Sequence, residues 1–109
     1  MTVEELPQTF SLECLVSGEI TRQVQSCYIG DLLSRVMGQA PAGCVWITIM
    51  TNSNVCAVAT LADVACIVLA EGEQPDAALL DAAMAHGVGL YRSDRSAYML
   101  AAAFAAGGI

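Results

Sequence analysis

The sequence predicts a single α/β domain spanning residues 1–109, built on a mostly parallel sheet with helices on both faces. Three observations carry that expectation. The runs Cys44–Met50 and Cys66–Ala70 are apolar without alternation, as strands buried on both faces are. Helical periodicity separates them from each other and from Val88–Tyr91, and strand-helix alternation of this kind builds a parallel sheet. The chain has 109 residues, 56% of them hydrophobic and only 14% charged, which suits one dense core and leaves no room for a second domain.

Phe10–Val16 alternates apolar and polar at its start, the pattern of a half-buried strand, and Ser17-Gly18 ends it. A further extended piece is expected at Gln23–Tyr28. Asp31 then stands where it can cap a short helix carrying Leu32, Leu33, Val36 and Met37 on one face. A turn at Gln39–Gly43 leads into Cys44–Met50, read as the central strand and expected to neighbour both Cys66–Ala70 and Val88–Tyr91. Thr51-Asn52-Ser53-Asn54 breaks the apolar run, and a helix over Val55–Ala65 should turn Val55, Val58, Ala59 and Ala62 inward. Glu71–Asp76 is loop and helix start. The helix Ala77–His86 should bury Leu80, Ala83 and Met84 and stop at Gly87, a frequent left-handed terminator. Ser93 is expected to cap a last helix, Asp94–Ala106, with Ala97, Leu100, Ala101 and Phe104 inside and Gly107-Gly108 at its end. Trp46, Met50, Tyr98 and Phe104 are all expected in the core.

Charge and cysteine usage exclude several functions. Eleven acidic residues face four arginines and no lysine, giving a net charge of −7, so phosphate backbones and anionic lipid surfaces should be repelled. No nucleic-acid or membrane partner is expected. The apolar stretch Val55–Ala70 is too short to cross a bilayer. The acidic start Met1–Glu5 is unlike a secretory leader, so the expected compartment is the cytoplasm. The five cysteines have no C-x-x-C spacing and lie in apolar segments, so reduced, mostly buried thiols are expected, with no metal bound by them.

The helix Asp31-Leu32-Leu33-Ser34-Arg35-Val36-Met37, taken with Val45–Asn54, Cys66–Asp76 and Gly87–Ala101, resembles the DRTGG domain. That module is an accessory part of phosphotransacetylases and of some CBS-containing pyrophosphatases, and its fold is related to the N-terminal domain of HPr kinase. The chain carries Thr51-Asn52-Ser53 where the family often places Gly-Asp-Arg, and Glu71-Gly72 where the family has Gly-Gly. The resemblance implies a stand-alone, non-enzymatic regulatory or ligand-sensing protein, accessory to an anaerobic redox or hydrogenase-associated system.

Ligands of open parallel sheets bind outside the carboxyl ends of the strands. The candidate ligand-binding residues are therefore Thr51, Asn52, Ser53 and Asn54 after the first buried strand, Glu71 and Gly72 after the second, and Ser93 and Asp94 after the third. Hydroxyls, amides and free N–H groups at a helix start would suit a small polar ligand or an anion. The same residues also read as helix caps and solvated turns. No catalytic residue is assigned: His86, the one histidine, falls at a predicted helix C-terminus without triad partners, and neither a Walker lysine nor G-x-G-x-x-G occurs. The sequence names neither the ligand nor a cofactor. Alternatives are a structural adaptor that binds protein, or a small enzyme using Asp94 or Glu71 with a bound metal or cofactor. The apolar excess predicts a homodimer, with the alanine-rich face of the last helix, around Ala102 and Ala105, as its first candidate surface.

Overall fold

Parallel pairing organises the molecule. In the computed structural model, which describes all 109 residues, β2 (Ser26–Ile29), β3 (Cys44–Thr48), β4 (Cys66–Leu69) and β5 (Leu90–Arg92) run parallel. The edge strand β1 (Glu13–Val16) pairs antiparallel with β5, with a bulge between Cys14 and Val16. The sheet order is β1-β5-β4-β3-β2.

Each pleated strand of the centre feeds two cores. Val45, Ile47, Cys66, Val68 and Tyr91 face one side, where Leu6 and Phe10 of α1 (Leu6–Phe10) and Leu100 and Phe104 of α5 (Ala97–Ala106) cover them. Phe10 and Phe104 meet edge to face, their ring centres 4.6 Å apart. Trp46, Ile67, Leu69 and Leu90 face the other side, under α2 (Leu33–Gln39), α3 (Asn54–Ala62) and α4 (Ala77–His86). Three successive crossovers of one hand from β2 to β5 place those three helices on one face. The expectation of an α/β sheet with helices on both faces holds.

Several details differ from expectation, each for a physical reason. The middle strand is β4, not β3: β2 forms a full parallel ladder with β3, so β3 has β2 and β4 as neighbours and β5 lies beyond β4. Phe10 belongs to a helix rather than a strand. A 3-10 turn, Val3–Glu5, runs into α1, with Pro7 in its first turn and the Glu5 carboxylate accepting the Thr2 N–H at 2.8 Å. Ser11, at φ 57, ends that helix, so β1 starts only at Glu13. Asp31 does not cap α2; Leu32 holds the cap position and is exposed, as is Met37. In α4 the buried pair is Leu79 and Ala83, and Met84 faces solvent. Ser96, not Ser93, caps α5, its side chain accepting from the Met99 N–H. Tyr98 is 78% exposed rather than in the core, because α5 turns Leu100 and Phe104 inward and Tyr98 lies roughly 200° round the helix from Leu100. All five cysteines are free thiols: Cys44, Cys56 and Cys66 are buried, Cys27 is half-buried, and Cys14 is exposed. No helix is long and apolar enough to cross a membrane.

Candidate functional site

Because β3, β4 and β5 are parallel neighbours, their carboxyl ends lie side by side, and the loops that follow them are laced together through the main chain. Asp76 N–H donates to Thr51 O at 3.0 Å, joining the β4–α4 loop to the β3–α3 loop. Gly72 N–H donates to Ser93 O at 2.9 Å and Glu71 N–H to Arg95 O at 2.8 Å, joining it to the β5–α5 loop. The eight candidate residues therefore fall on three adjoining loops at one end of the sheet.

The centre of this platform is a tight turn. Glu73 N–H donates to Ala70 O at 3.2 Å, and the two residues between, Glu71 and Gly72, have φ 60 and 75. Two successive left-handed residues inside such a bond make a type I′ turn. Gly72 suits this: a Cβ there would also press to 3.3 Å from Asp94 Oδ1. Glu71 does not, since a side chain in that region crowds its own carbonyl. Its carboxylate stands exposed above the middle strand.

Arg92, at the end of β5, braces the same region and was not singled out from sequence. Its Nη2 donates to Gly72 O at 3.0 Å and Asp94 Oδ1 at 3.1 Å, its Nη1 to Glu13 Oε2 at 2.7 Å, and its Nε to Glu73 O at 3.2 Å. The fork thus ties the antiparallel edge strand to two loops. Hydrogen bonds to Glu13, with the charges of Glu13 and Asp94, hold its pKa above the ordinary arginine value. The only sequence signal for this was an arginine closing a buried strand near Asp94.

A fourth loop joins at the β2–β3 side. Asp31 Oδ1 accepts from Thr48 Oγ1 at 2.8 Å and from Ile49 N–H at 2.9 Å, so the predicted cap instead clasps the end of β3. Beneath it the buried Trp46 donates its indole N–H to Gly30 O at 2.9 Å.

Two features of the end bear on its ligand. The expected free amides at the start of α3 are not there: Asn54 N–H is taken by Asn52 Oδ1, Val55 N–H by Asn52 O, and Cys56 N–H by Ser53 O. Asp76 likewise takes the Leu79 N–H at the start of α4. Asn54 is thus the first helical residue rather than a cap, and Ser93, 7% exposed, serves a local turn through Arg95 N–H. The end also collects Asp31, Glu71, Glu73, Asp76 and Asp94, while Arg92 and Arg95 are engaged, Arg95 with Phe10 O. With both arginines engaged, the unbalanced charge at this end is acidic, which disfavours anions.

Nor is there a crevice. Strands β2 to β5 follow one another in order, so no reversal of strand order opens a cleft between them. The concavities lie elsewhere. A hollow of about 90 Å³ between the ends of α3 and α4 is lined by Glu19, Arg22, Asp63 and His86. A groove of about 310 Å³ between α3 and α4 touches the candidate set only at Ser53. A third hollow, about 330 Å³, lies on α2 around Leu32, Arg35 and Gln39. No cluster of acidic, histidine or cysteine side chains is suited to a metal ion.

This is a five-stranded, mostly parallel α/β module whose strand-end loops form a braced polar platform. No protein-family model matches the chain, and no curated protein matches it in sequence. Its fold is similar to the CBS and DRTGG domains of the regulatory region of a Clostridium perfringens pyrophosphatase, a structure solved with the activator diadenosine tetraphosphate. The TM-score is 0.75 at 10% sequence identity, over 93% of this chain and 44% of that one. The fold is DRTGG-like, and the chain spans under half the length of that structure.

Proposed function

We propose that the protein is a non-enzymatic regulatory module of the cytoplasm that senses a small polar ligand on the platform formed by Thr51–Asn54, Glu71–Gly72 and Ser93–Asp94. The observation that carries this reading is Glu71. A carboxylate is held out on a left-handed residue at the tip of the middle strand, and surrounding main-chain bonds over-determine that conformation. Strain kept in place this way is characteristic of ligand-contacting positions. With five carboxylates at this end and the Asn54, Val55 and Cys56 amides at the start of α3 already bonded, the ligand class is one that offers hydrogen-bond donors or positive charge rather than a polyphosphate. The pyrophosphatase regulatory region of similar fold was solved with a nucleotide activator, which supports a regulatory role while differing in ligand chemistry. The resemblance to stand-alone DRTGG proteins would make the module accessory to an anaerobic redox or hydrogenase-associated system.

Thermal-shift measurement tests this directly, since a ligand bound only by the folded state raises its stability. Nucleosides, amino compounds and polyamines are set against nucleotides, phosphorylated metabolites and divalent metals. Stabilisation within the first group, lost in Glu71→Ala, is expected; stabilisation by polyphosphates alone, or by nothing, refutes the reading. A protein-binding adaptor is the second reading. One observation favours it: α3, α4 and α5 together hold a single charged residue, Asp81, and expose Leu61, Met84, Tyr98 and Met99.

A further inference from the structure

We propose that the protein pairs with a second copy of itself along the open edge of β2, the two strands running antiparallel to make one continuous sheet. The sheet has two edges, and they are built differently. The β1 edge carries Glu13 and a bulge between Cys14 and Val16, both of which discourage pairing with another strand. The β2 edge, Ser26-Cys27-Tyr28-Ile29, has no charge, no proline and no bulge, and pairs with β3 in unbroken register.

The outward hydrogen-bonding groups can be named. Gly30 N–H donates to Ile47 O on β3. Main-chain groups of successive strand residues point to opposite sides, so Tyr28 also faces β3 while Cys27 and Ile29 turn their N–H and C=O groups outward. Two outward residues with one between them are self-complementary about a two-fold axis through Tyr28. Cys27 of one copy then exchanges two hydrogen bonds with Ile29 of the other, and the reverse. An antiparallel neighbour is already accommodated on the approach to this strand: Thr2 bridges Gln23, and Val24 N–H donates to Met1 O at 2.8 Å.

Charge and exposed apolar surface select a second copy as the occupant. Two chains of net charge −7 meet at least cost where neither presents a charge, and β2 is such a stretch. In this register the Asp31 of each copy lies opposite Gln25 of the other, so no like charges face across the seam. Of the nine large apolar side chains exposed on the molecule, Ile29, Leu32, Met37 and Ile49 belong to β2, the helix after it, or the end of β3 beside it.

The dimer is tested by sedimentation equilibrium of the full chain at tens of micromolar, with amide hydrogen exchange as a residue-level readout. A dimer mass is expected, with the Cys27 and Ile29 amides protected as concentration rises. Ile29→Pro removes one outward N–H per chain, where an edge strand tolerates proline, and should weaken association about 30-fold or more. Ile29→Lys, which keeps the main chain and adds a repelling edge charge, should act in the same direction. Both should keep the far-ultraviolet dichroism of the parent, and Ala102→Glu on α5 should leave the dimer intact. A monomeric parent overturns the proposal, as does unchanged association of folded Ile29→Lys, or loss of the dimer in Ala102→Glu alone. These outcomes are independent of ligand binding at the strand-end platform.

Discussion

Replacing Glu71 by glycine should make the protein more stable and less able to bind its ligand. Glu71 sits at φ 60 in the turn that closes between Ala70 and Glu73, beside Gly72 at φ 75. A residue with a Cβ in that region costs roughly 1–2 kcal/mol. Glycine removes the clash but adds freedom to the unfolded chain, offsetting roughly 0.5–1 kcal/mol of the gain. The exposed side chain contributes little packing, so the net gain is about 0.5–1 kcal/mol, or about 2–6 °C in the melting midpoint of a domain this size. With glycine at both positions, the two left-handed torsions of the turn are met without strain. Thermal unfolding followed by circular dichroism measures the shift. Glu71→Asn should gain less than glycine, and Glu71→Ala, which keeps the Cβ, should gain nothing. A lowered midpoint for Glu71→Gly, or an equal gain for alanine, refutes the torsional argument. Retained ligand stabilisation in Glu71→Gly refutes the functional one.

Trp46→Phe removes the indole donor to Gly30 O inside a fully buried site, and should cost about 2–3 kcal/mol in chemical denaturation; a cost below 1 kcal/mol would mean the carbonyl finds another partner. The hydrogen bond from Arg22 depresses the pKa of Asp63 below its ordinary 3.8, so this pair's contribution is present above that pH and lost as pH falls through the lowered value. The stability difference between parent and Asp63→Asn should therefore close in acid, and a difference independent of pH sinks the assignment. Burial pushes Cys27 and Cys44 up to about 11, so these thiols should resist alkylation at pH 8 while exposed Cys14 reacts; rapid native labelling of Cys44 followed by mass mapping would contradict the packing. The sign for stability follows: these groups ionise near 9.0 once unfolded, so the fold should lose stability as pH rises from 9 toward 11.

How far the sequence could be read depended on whether a residue's role was local. Continuous apolar runs placed β3 and β4, Gly87 stopped α4 at His86, and the alternation of elements led to the right sheet class. What failed was non-local. Strand order turned on the pairing of β2 with β3, which four residues of mixed polarity do not announce. Asp31 had the position and chemistry of a cap, yet Thr48 and Ile49, distant in sequence, claimed its carboxylate. Thr2, Glu5 and Pro7 carried a helix-start signal for α1 that the alternation at Phe10 obscured. The strand-end loops, the one opening at Arg92 included, could be located because parallel strands must end together, but the bracing by Arg92 could not, since that role exists only where Glu13 from the far end of the chain lies beside β5.

The bracing by Arg92 also bears on how such a module could transmit a signal. One side chain holds the edge strand through Glu13, the strained turn through Gly72 O and Glu73 O, and the last loop through Asp94. A donor-bearing ligand drawn to Glu71 and Asp94, as proposed for this platform, would compete with the guanidinium for the second of these carboxylates. Releasing Asp94 would loosen the β5–α5 loop, and α5 packs over β2 at the other side of the sheet. Coupling requires two discrete arrangements that the ligand binds unequally, not mere proximity. The turn at Glu71 and Gly72 is the element of this platform best suited to supply them, because its strain is held in place by bonds that converge on the same arginine and its neighbouring loop.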